Sequence, residues 1–425
     1  MKKTNTNFFR SILLASLLLA SYISQAQMYP FKSAERIISL PIPDSTYVLA
    51  RAIDEKNLLT SYSIPVASYG NFLKTTQGTT ATEYVRIWGV NHVSDFKVLH
   101  DWLFFCGQDN NNTGFVAWTR LDEFFDHSTN NIEISVLPNI SDVKKIDAYQ
   151  DGQYKYAIVA IGDNQQFIYT GVLCDDYYVY TSPFPLSDVV ATDNHIVVLG
   201  KISLGSLALF THPKVNVQNY FGMSYTHNQA RFENFLIERL FGDNVLVSYT
   251  DRPNGYQAQF VRIDATSLQP IAQQSLLDKG KPNPKEMVFN PADSTVLYLS
   301  HAVENKDMIA TIKPYLNYSY PSDVIIPNMC KWGHETLNSL TAYHDNYLSA
   351  IGVDTTTSHL YWFDYKRGTT NLCNCFKVFK EKVIMANTFI PSTRQNYQGI
   401  QVLQKQPQTI QVQHFTPQCN IICND

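Results

Sequence analysis

Short apolar segments alternate with turn residues in a unit that recurs about every 50 residues along the chain. A unit opens with a small or apolar residue and then an acidic or amide residue. It continues through a β-rich segment, a turn of Asp, Asn, His or Gly, and a strongly apolar strand that often ends in Gly. Clear copies are SDFKVLHDWLFFCG (94–107), SDVVATDNHIVVLG (187–200) and LNSLTAYHDNYLSAIG (337–352). The short apolar runs and turn residues predict β-strands joined by tight hairpins.

The polar residue that opens each unit sets the period. The six openers, with a mean spacing of 48.6 residues, are Asp95, Asp142, Asp188, Glu238, Glu286 and Asn338. Weaker copies flank them at 46–63 and 381–406. Four short strands per unit at this period are typical of a β-propeller blade, whereas a β-sandwich needs about 100 residues and a β-helix repeat is shorter.

The sequence therefore predicts an all-β propeller of about eight four-stranded blades. Seven blades remain open as an alternative, because the first unit can lend strands that close the last blade. Stacking of neighbouring blades around an axis buries sheet faces that a single blade would leave exposed.

The first 26 residues have the pattern of a secretory signal peptide. Lys2, Lys3 and Arg10 precede the apolar run 11–23, and Ser24 and Ala26 place small residues at −3 and −1 of a cleavage site. We expect cleavage after Ala26 and a single propeller domain over 27–425 with a Cys-containing tail. The mature protein is expected to be secreted or periplasmic, monomeric, and without a membrane span.

Composition narrows the function classes. The chain is 44% hydrophobic and 13% aromatic but only 16% charged, with 33 Lys and Arg against 37 Asp and Glu. This apolar content excludes wholesale disorder. Without a basic excess to neutralise phosphates, we expect no nucleic-acid partner.

The segments SDFKV, LFFCG, GFVAW and SDVVATDNHIVVLG resemble uncharacterised exported repeat proteins of Gram-negative gut and oral anaerobes. The resemblance covers most of the mature chain and implies a propeller of degenerate blades. It implies no activity, so no functional residue is transferred from it.

The six openers are the main candidate site. If they begin the innermost strands, their side chains would form a ring near the central channel, and oxygen ligands of this kind hold hard cations or amines. The alternative is structural, because Asp and Asn at strand starts commonly bond nearby backbone N–H groups. The sequence favours the structural interpretation and predicts no resident cofactor, with a channel-bound divalent cation as the exception left open.

Cysteine and histidine provide weaker candidates. Export to an oxidising compartment favours disulfides over zinc, and the candidates near the C-terminus are Cys373, Cys375, Cys419 and Cys423. Cys106 has an apolar setting that predicts a buried thiol. His100, His195 and His344 recur in hairpin turns of different units, which argues against a shared metal site.

No nucleophile motif or phosphate-binding loop is present in the sequence. The leading interpretation is an exported binding or scaffold module that presents propeller loops to a protein or glycan partner. The alternative is a glycan-active hydrolase or lyase with carboxylates at the channel mouth. No catalytic residue is assigned, and the sequence leans against an enzyme.

Overall fold

The computed structural model describes backbone between residues 35 and 415, with gaps at most of the connections between strands. Side chains are described within 57–315, again with gaps. The signal-peptide prediction and Cys419 and Cys423 lie outside the described residues.

Four of the eight sheets come from the first part of the chain, each strand pairing antiparallel with the next. Blade 1 contains β2 (Tyr47–Ala52), β3 (Asn57–Ile64), β4 (Tyr69–Thr76) and β5 (Thr82–Trp88). Blade 2 contains β6 (Val90–Leu99), β7 (Trp102–Asp109), β8 (Gly114–Arg120) and β9 (Glu133–Leu137). Blade 3 contains β10 (Val143–Asp151), β11 (Lys155–Gly162), β12 (Gln166–Gly171) and β13 (Tyr177–Thr181). Blade 4 contains β14 (Leu186–Ala191), β15 (His195–Ile202), β16 (Ser206–Pro213) and β17 (Phe221–Tyr225).

The other four sheets follow the same order, except for the last. Blade 5 contains β18 (Phe232–Arg239), β19 (Asn244–Asp251), β20 (Gln257–Asp264) and β21 (Pro270–Leu276). Blade 6 contains β22 (Asn283–Asn290), β23 (Thr295–His301), β24 (Asp307–Ile312) and β25 (Asp323–Ile325). Blade 7 contains β26 (Glu335–Tyr343), β27 (Tyr347–Asp354), β28 (Leu360–Lys366) and β29 (Leu372–Lys377). Blade 8 contains β30 (Val383–Phe389), β31 (Gly399–Gln406), β32 (Thr409–Phe415) and the N-terminal β1 (Glu35–Pro41).

The ring of blades closes because strands from the two ends of the chain form one sheet, blade 8. β1 pairs antiparallel with β32 as the outermost strand of blade 8. The first strands of successive blades contact one another around the ring, and β30 contacts β2 to complete it. The predicted propeller is confirmed with eight blades. The strand that closes the last blade, β1, precedes the first predicted unit at 46–63, and that unit keeps four strands of its own.

Apolar clusters between neighbouring blades hold the described part of the ring together. Between blades 1 and 2, Phe72 is fully buried and makes edge contacts with Phe96, Phe105 and Phe124. Further clusters join blades 2 and 3, 3 and 4, 4 and 5, and 5 and 6. Second and third strands therefore read as nearly continuous apolar runs, because both of their faces are covered.

A single turn of helix, α1 (Leu121–Phe125), departs from the all-strand pattern. It follows β8 and buries Phe124 and Phe125 against the cluster between blades 1 and 2. Asp122 and Glu123 lie in its first turn, where negative charge interacts favourably with the unpaired N–H groups of the helix. The sequence analysis did not predict this helix.

Candidate functional site

The first strands of blades 2 to 8 share a recurring irregularity. The pairing of the first strand with the second shifts register once in blades 3 to 8 and twice in blade 2, whereas β2 and β3 of blade 1 pair without a shift. In blade 2 we refer to the second shift, between Val93 and Asp95, as the bulge. A β-bulge of this kind bends the strand and re-aims the side chain that follows it. The bulge therefore fixes which residues of the first strand face the region around the axis.

The recurrent glycine at the end of the apolar strand lies beside this bulge. Gly107 pairs with Val93 at the bulge of β6, and a Cβ at Gly107 would lie 2.0 Å from the carbonyl oxygen of His92. Gly162 and Gly200 occupy the same register in blades 3 and 4. At Gly107 the bulged backbone comes too close for a side chain. A Cβ at Gly200 would lie 3.1 Å from the Pro185 carbonyl oxygen, whereas one at Gly162 would meet the Ile140 side chain at 2.9 Å.

The predicted openers do not share one position. Asp95, Asp188 and Glu286 each directly follow the bulge of their first strand. In blade 3 this position belongs to Lys145, because Asp142 precedes β10.

The remaining two openers are offset from that position. Glu238 lies two residues beyond the end of the bulge in β18, and Asn338 lies within the bulge of β26. The side chains of Glu286 and Asn338 are outside the described part of the structure. The six openers therefore do not all lie at one level of a channel ring, and their role in ligand binding stays a prediction.

The Asp95 carboxylate connects blade 2 to blade 3. Oδ1 accepts a hydrogen bond from the Phe96 N–H at 3.0 Å, and Oδ2 accepts one from the Ile146 N–H at 3.2 Å. Asp95 is buried. The inner edge of a first strand has no partner strand, so its N–H groups need such acceptors.

Two further carboxylates make the same kind of connection. Asp147 accepts from the Ala148 N–H and, in blade 4, from the Ala191 N–H, both at 2.9 Å. Glu238 accepts from the Phe289 N–H of blade 6 at 3.2 Å. Asp147 and Glu238 occupy equivalent positions, two residues beyond the bulge. These contacts agree with the structural interpretation of the acidic residues.

Two lysines balance part of this acidic charge. Lys97 Nζ lies 3.3 Å from Asp147 Oδ1, and the Lys97 side chain is 42% exposed. Burial raises the pKa of Asp188 to about 6, against the opposing effects of Lys145 and the Val189 N–H. Burial likewise raises the pKa of Glu238 to about 7, although the Phe289 N–H and Lys97 oppose it. The first strands therefore present two carboxyl groups that titrate near neutral pH.

Within the described residues, no group of three or more His, Cys, Asp and Glu side chains is arranged to hold a metal ion. Sequence reasoning missed Asp147, Lys97 and Lys145. Their signal is the offset from the bulge, since Lys97 and Asp147 lie two residues beyond it and Lys145 directly follows it.

A second polar cluster lies at one end of the propeller, which we call the hairpin end. It carries the turns between first and second strands and between third and fourth strands. Asp243 of blade 5 accepts hydrogen bonds from Thr192 Oγ1 at 2.8 Å and from the backbone and side-chain nitrogens of Asn194, both at 2.7 Å. His195 Nδ1 lies 3.3 Å from Asp243 Oδ1. Burial acts to raise the pKa of Asp243, but these hydrogen bonds outweigh it and lower that pKa to about 2.

Lys214 extends this network towards blade 3. Its Nζ donates to the carbonyl oxygens of Thr192 and Asp193, and it lies 4.0 Å from the centre of the Tyr149 ring. Burial and then Arg239 lower the pKa of Lys214 to about 8. The next residue, Val215, is 98% exposed at the tip of its loop.

Blades 5 and 6 meet at an exposed aromatic residue of the hairpin end. Phe241 is 48% exposed, and its N–H donates to Tyr315 Oη at 2.9 Å. Its ring makes an edge contact with Phe289 at 4.9 Å between centroids. Arg239 beside it donates to Asp193 of blade 4 at 2.8 Å. Phe241 is therefore held in place while half of its surface faces solvent.

The cysteine and histidine predictions have mixed outcomes. Cys106 is a buried free thiol, as predicted. His100 and His195 lie at hairpin turns of blades 2 and 4, and His344 is outside the described residues. Cys373 and Cys375 fall in β29, but their side chains are not described, so the disulfide prediction stays untested.

Comparison with known proteins gives fold-level similarity. No family model and no curated protein matches the sequence. The crystal structure of BamB from Moraxella catarrhalis superposes with a TM-score of 0.53 at 7% identity, covering 90% of this chain and 100% of that one. A prolyl endopeptidase structure gives 0.50 at 9% identity, covering 87% of this chain and 54% of that one. The WD40 domain of SCAP from fission yeast gives 0.49 at 9% identity, covering 92% and 96%.

The closed ring of four-stranded antiparallel sheets and the similarity to BamB define the protein as an eight-bladed β-propeller. Across the described residues, none of the helices has the length and apolar character needed to cross a membrane.

Proposed function

We propose that this protein is an exported binding module that presents the hairpin end of blades 4 to 6 to a protein partner. The observation that carries the proposal is the half-exposed ring of Phe241, which contacts Phe289 and follows a backbone N–H bonded to Tyr315. Aromatic residues and arginine dominate the binding energy of protein interfaces when they are rigid and ringed by polar contacts. Inter-blade contacts hold Phe241 and Arg239 in position, and Val215 adds an exposed apolar residue at the same end.

The turns that form this surface are held in place by hydrogen bonds, which favours them as a binding surface. The Phe241 backbone is tied to Tyr315, and the turn of blade 4 is tied to Asp243 and Lys214. Binding a partner there would cost little further ordering of the loops, which is a main component of the free-energy cost of association. Propeller folds also support many unrelated functions, so the proposal depends on this surface and not on the fold.

The test is site-specific crosslinking followed by affinity measurement. A photoreactive residue placed at Val215 in the exporting cell should crosslink one dominant protein. With that protein purified, Phe241→Ala should weaken binding by at least 30-fold, which corresponds to about 2 kcal/mol. The matched control is Val136→Ala, a similarly exposed apolar residue on the outermost strand of blade 2, away from blades 4 to 6. Equal affinity of Phe241→Ala and the parent protein would refute the proposal.

One observation favours a second candidate function, that of a glycan-active hydrolase or lyase. Glu238 and Asp188 have pKa values raised to about 7 and about 6, and a general acid needs a raised pKa at neutral pH. Release of reducing ends from a polysaccharide panel, abolished by Glu238→Gln with the fold intact, would support this function. Turnover unchanged by Glu238→Gln would exclude Glu238 from it.

A further inference from the structure

A platform of aromatic rings and one arginine lies on the outer half of blade 1, away from the hairpin-end surface. Tyr69 and Trp88 are directly paired residues of β4 and β5, and Asn71 and Arg86 form the next pair on the same face. Tyr84 follows two residues from Arg86 on that face. Trp88 exposes 68% of its surface, the most of any aromatic residue among the described side chains.

The rings hold the guanidinium of Arg86 in place. Its Cζ lies 4.2 Å from the Tyr69 ring centre and 5.3 Å from that of Trp88. Nη2 donates to Tyr84 Oη at 2.9 Å. Tyr69 and Trp88 meet edge to face, with centroids 5.5 Å apart. Cation–π contacts of this kind fix a charged group without neutralising it.

A buried residue supports the platform from below. Asn71 is fully buried, and its Oδ1 accepts from Tyr84 Oη and, at 3.4 Å, from Arg86 Nε. The opposite face of β5 serves the core, since Val85 and Ile87 pack against blade 2. The platform is thus built on rigid strands, whereas a chance exposed tryptophan would lack such support.

The charge of Arg86 has no carboxylate partner among the described residues. Its contacts are to Asn71, to the Tyr84 hydroxyl and to the rings of Tyr69, Tyr84 and Trp88. The hydrogen bond that Arg86 donates to Tyr84 is the largest of the influences that raise the pKa of Arg86. Glu83, the nearest acid along β5, lies on the other face and pairs with Lys74 at 3.1 Å. A free guanidinium beside an open ring face is complementary to a ligand with both a flat apolar face and a carboxylate.

We propose that Trp88 and Arg86 form a binding site for an acidic saccharide of the hexuronate class. One sugar ring would stack its C–H face on the open face of Trp88, and its carboxylate would pair with the Arg86 guanidinium. The rings of Tyr69 and Trp88 together match the size of one or two sugar units. A protein partner would need a much larger surface, since it buries about 800 Å² on each side. This site is separate from the hairpin-end surface, so either proposal can fail alone.

The test is calorimetric titration of the full exported chain with a panel of hexuronate oligosaccharides, namely tri-galacturonate, a hyaluronan tetrasaccharide and an alginate trimer. Neutral galactotriose and uridine monophosphate are the comparison ligands. At least one hexuronate should bind, and at least tenfold more tightly than galactotriose. Trp88→Ala should abolish binding, and Arg86→Gln should weaken the hexuronate at least tenfold while leaving galactotriose unchanged.

The controls separate this site from general effects. Tyr177→Ala, at an exposed aromatic residue on the outermost strand of blade 3, should leave hexuronate affinity unchanged, and Trp88→Phe should retain part of it. Circular dichroism establishes that each variant is folded. Absence of binding across the hexuronate panel, or binding insensitive to both Trp88→Ala and Arg86→Gln, would overturn the proposal. Tighter, Trp88-dependent binding of uridine monophosphate would overturn the saccharide assignment.

Discussion

Replacing Glu238 by Gln should stabilise the propeller at alkaline pH. The Glu238 carboxyl group accepts the Phe289 N–H across the boundary of blades 5 and 6, and an amide oxygen can accept the same bond. The substitution removes only the charge. Burial, together with Asp188 and Asp147, disfavours that charge, so the pKa rises from its ordinary 4.5 to about 7.

The sign of the effect follows from the direction of the pKa shift. A raised pKa means that folding favours the protonated group, so the ionised carboxylate lowers the free energy of unfolding above about pH 7. That cost disappears as the pH falls towards 4.5. Linkage at 1.36 kcal/mol per pKa unit gives a cost of about 3 kcal/mol at pH 8 and about 1 kcal/mol at pH 5. Glu238→Gln should therefore gain about 2 kcal/mol more at pH 8 than at pH 5.

Thermal unfolding at the two pH values measures this difference. For a chain of this length, 1 kcal/mol corresponds to roughly 1 °C, so the Tm of Glu238→Gln should rise by about 3 °C at pH 8 and by about 1 °C at pH 5. The comparison variant is Glu123→Gln in α1, which removes an ion pair with Arg120 at 3.7 Å and should therefore not raise the Tm at pH 8. A lower Tm for Glu238→Gln at pH 8, or equal shifts at both pH values, would refute the assignment of a buried, disfavoured charge.

Three further substitutions test the inter-blade contacts by thermal or denaturant unfolding. Asp243→Asn should lower the free energy of unfolding by about 2 kcal/mol at pH 7, because the pKa of Asp243 is lowered from 3.8 to about 2. This contribution is present above pH 3.8 and is lost as the pH falls towards 2. An equal effect of the substitution at both ends of that range would contradict the prediction. Gly107→Ala should cost at least about 1–3 kcal/mol, since the new Cβ would meet the His92 carbonyl oxygen; a neutral effect would show that the bulge of β6 relaxes freely. Phe72→Ala should cost about 3–5 kcal/mol through the cavity it leaves between blades 1 and 2, and a smaller loss would mean that the surrounding rings collapse into it.

The sequence predicted the ring well because its repeat reflects a structural unit. The period and the four-strand content both follow from apolar runs and turn residues that every blade needs. The closing strand β1 precedes the first unit, and the sequence left the number of blades open between seven and eight. The repeated Gly107 was visible in the sequence, but its reason was not, because the bulge opposite it belongs to another strand. The sequence cannot show which neighbouring backbone approaches a glycine.

The candidate site was predicted less well for the same reason. Counting openers along the sequence placed Asp142 with Asp95, yet the bulge puts Lys145 at that position. Glu238 lies two residues beyond the position that Asp95 occupies relative to its bulge. A bulge adds one residue to one strand, and no particular residue type marks it in the sequence. Shifts of two or three residues between equivalent positions of two blades are therefore not visible until the strand pairing is known.

The repeat and the candidate binding surfaces place opposite demands on the sequence. A first strand in a closed ring has an unpaired inner edge, and Asp95, Asp147 and Glu238 supply acceptors for it. These three acidic residues therefore join neighbouring blades. A binding site for one partner needs features that the other blades lack. Phe241 occupies a turn that in blade 2 holds His100 and Asp101. Trp88 ends the fourth strand of blade 1, whereas the fourth strands of blades 2, 3 and 4 end in Leu137, Thr181 and Tyr225. Binding specificity in this propeller is thus expected where the repeat is broken, and substitutions there should change binding more than stability.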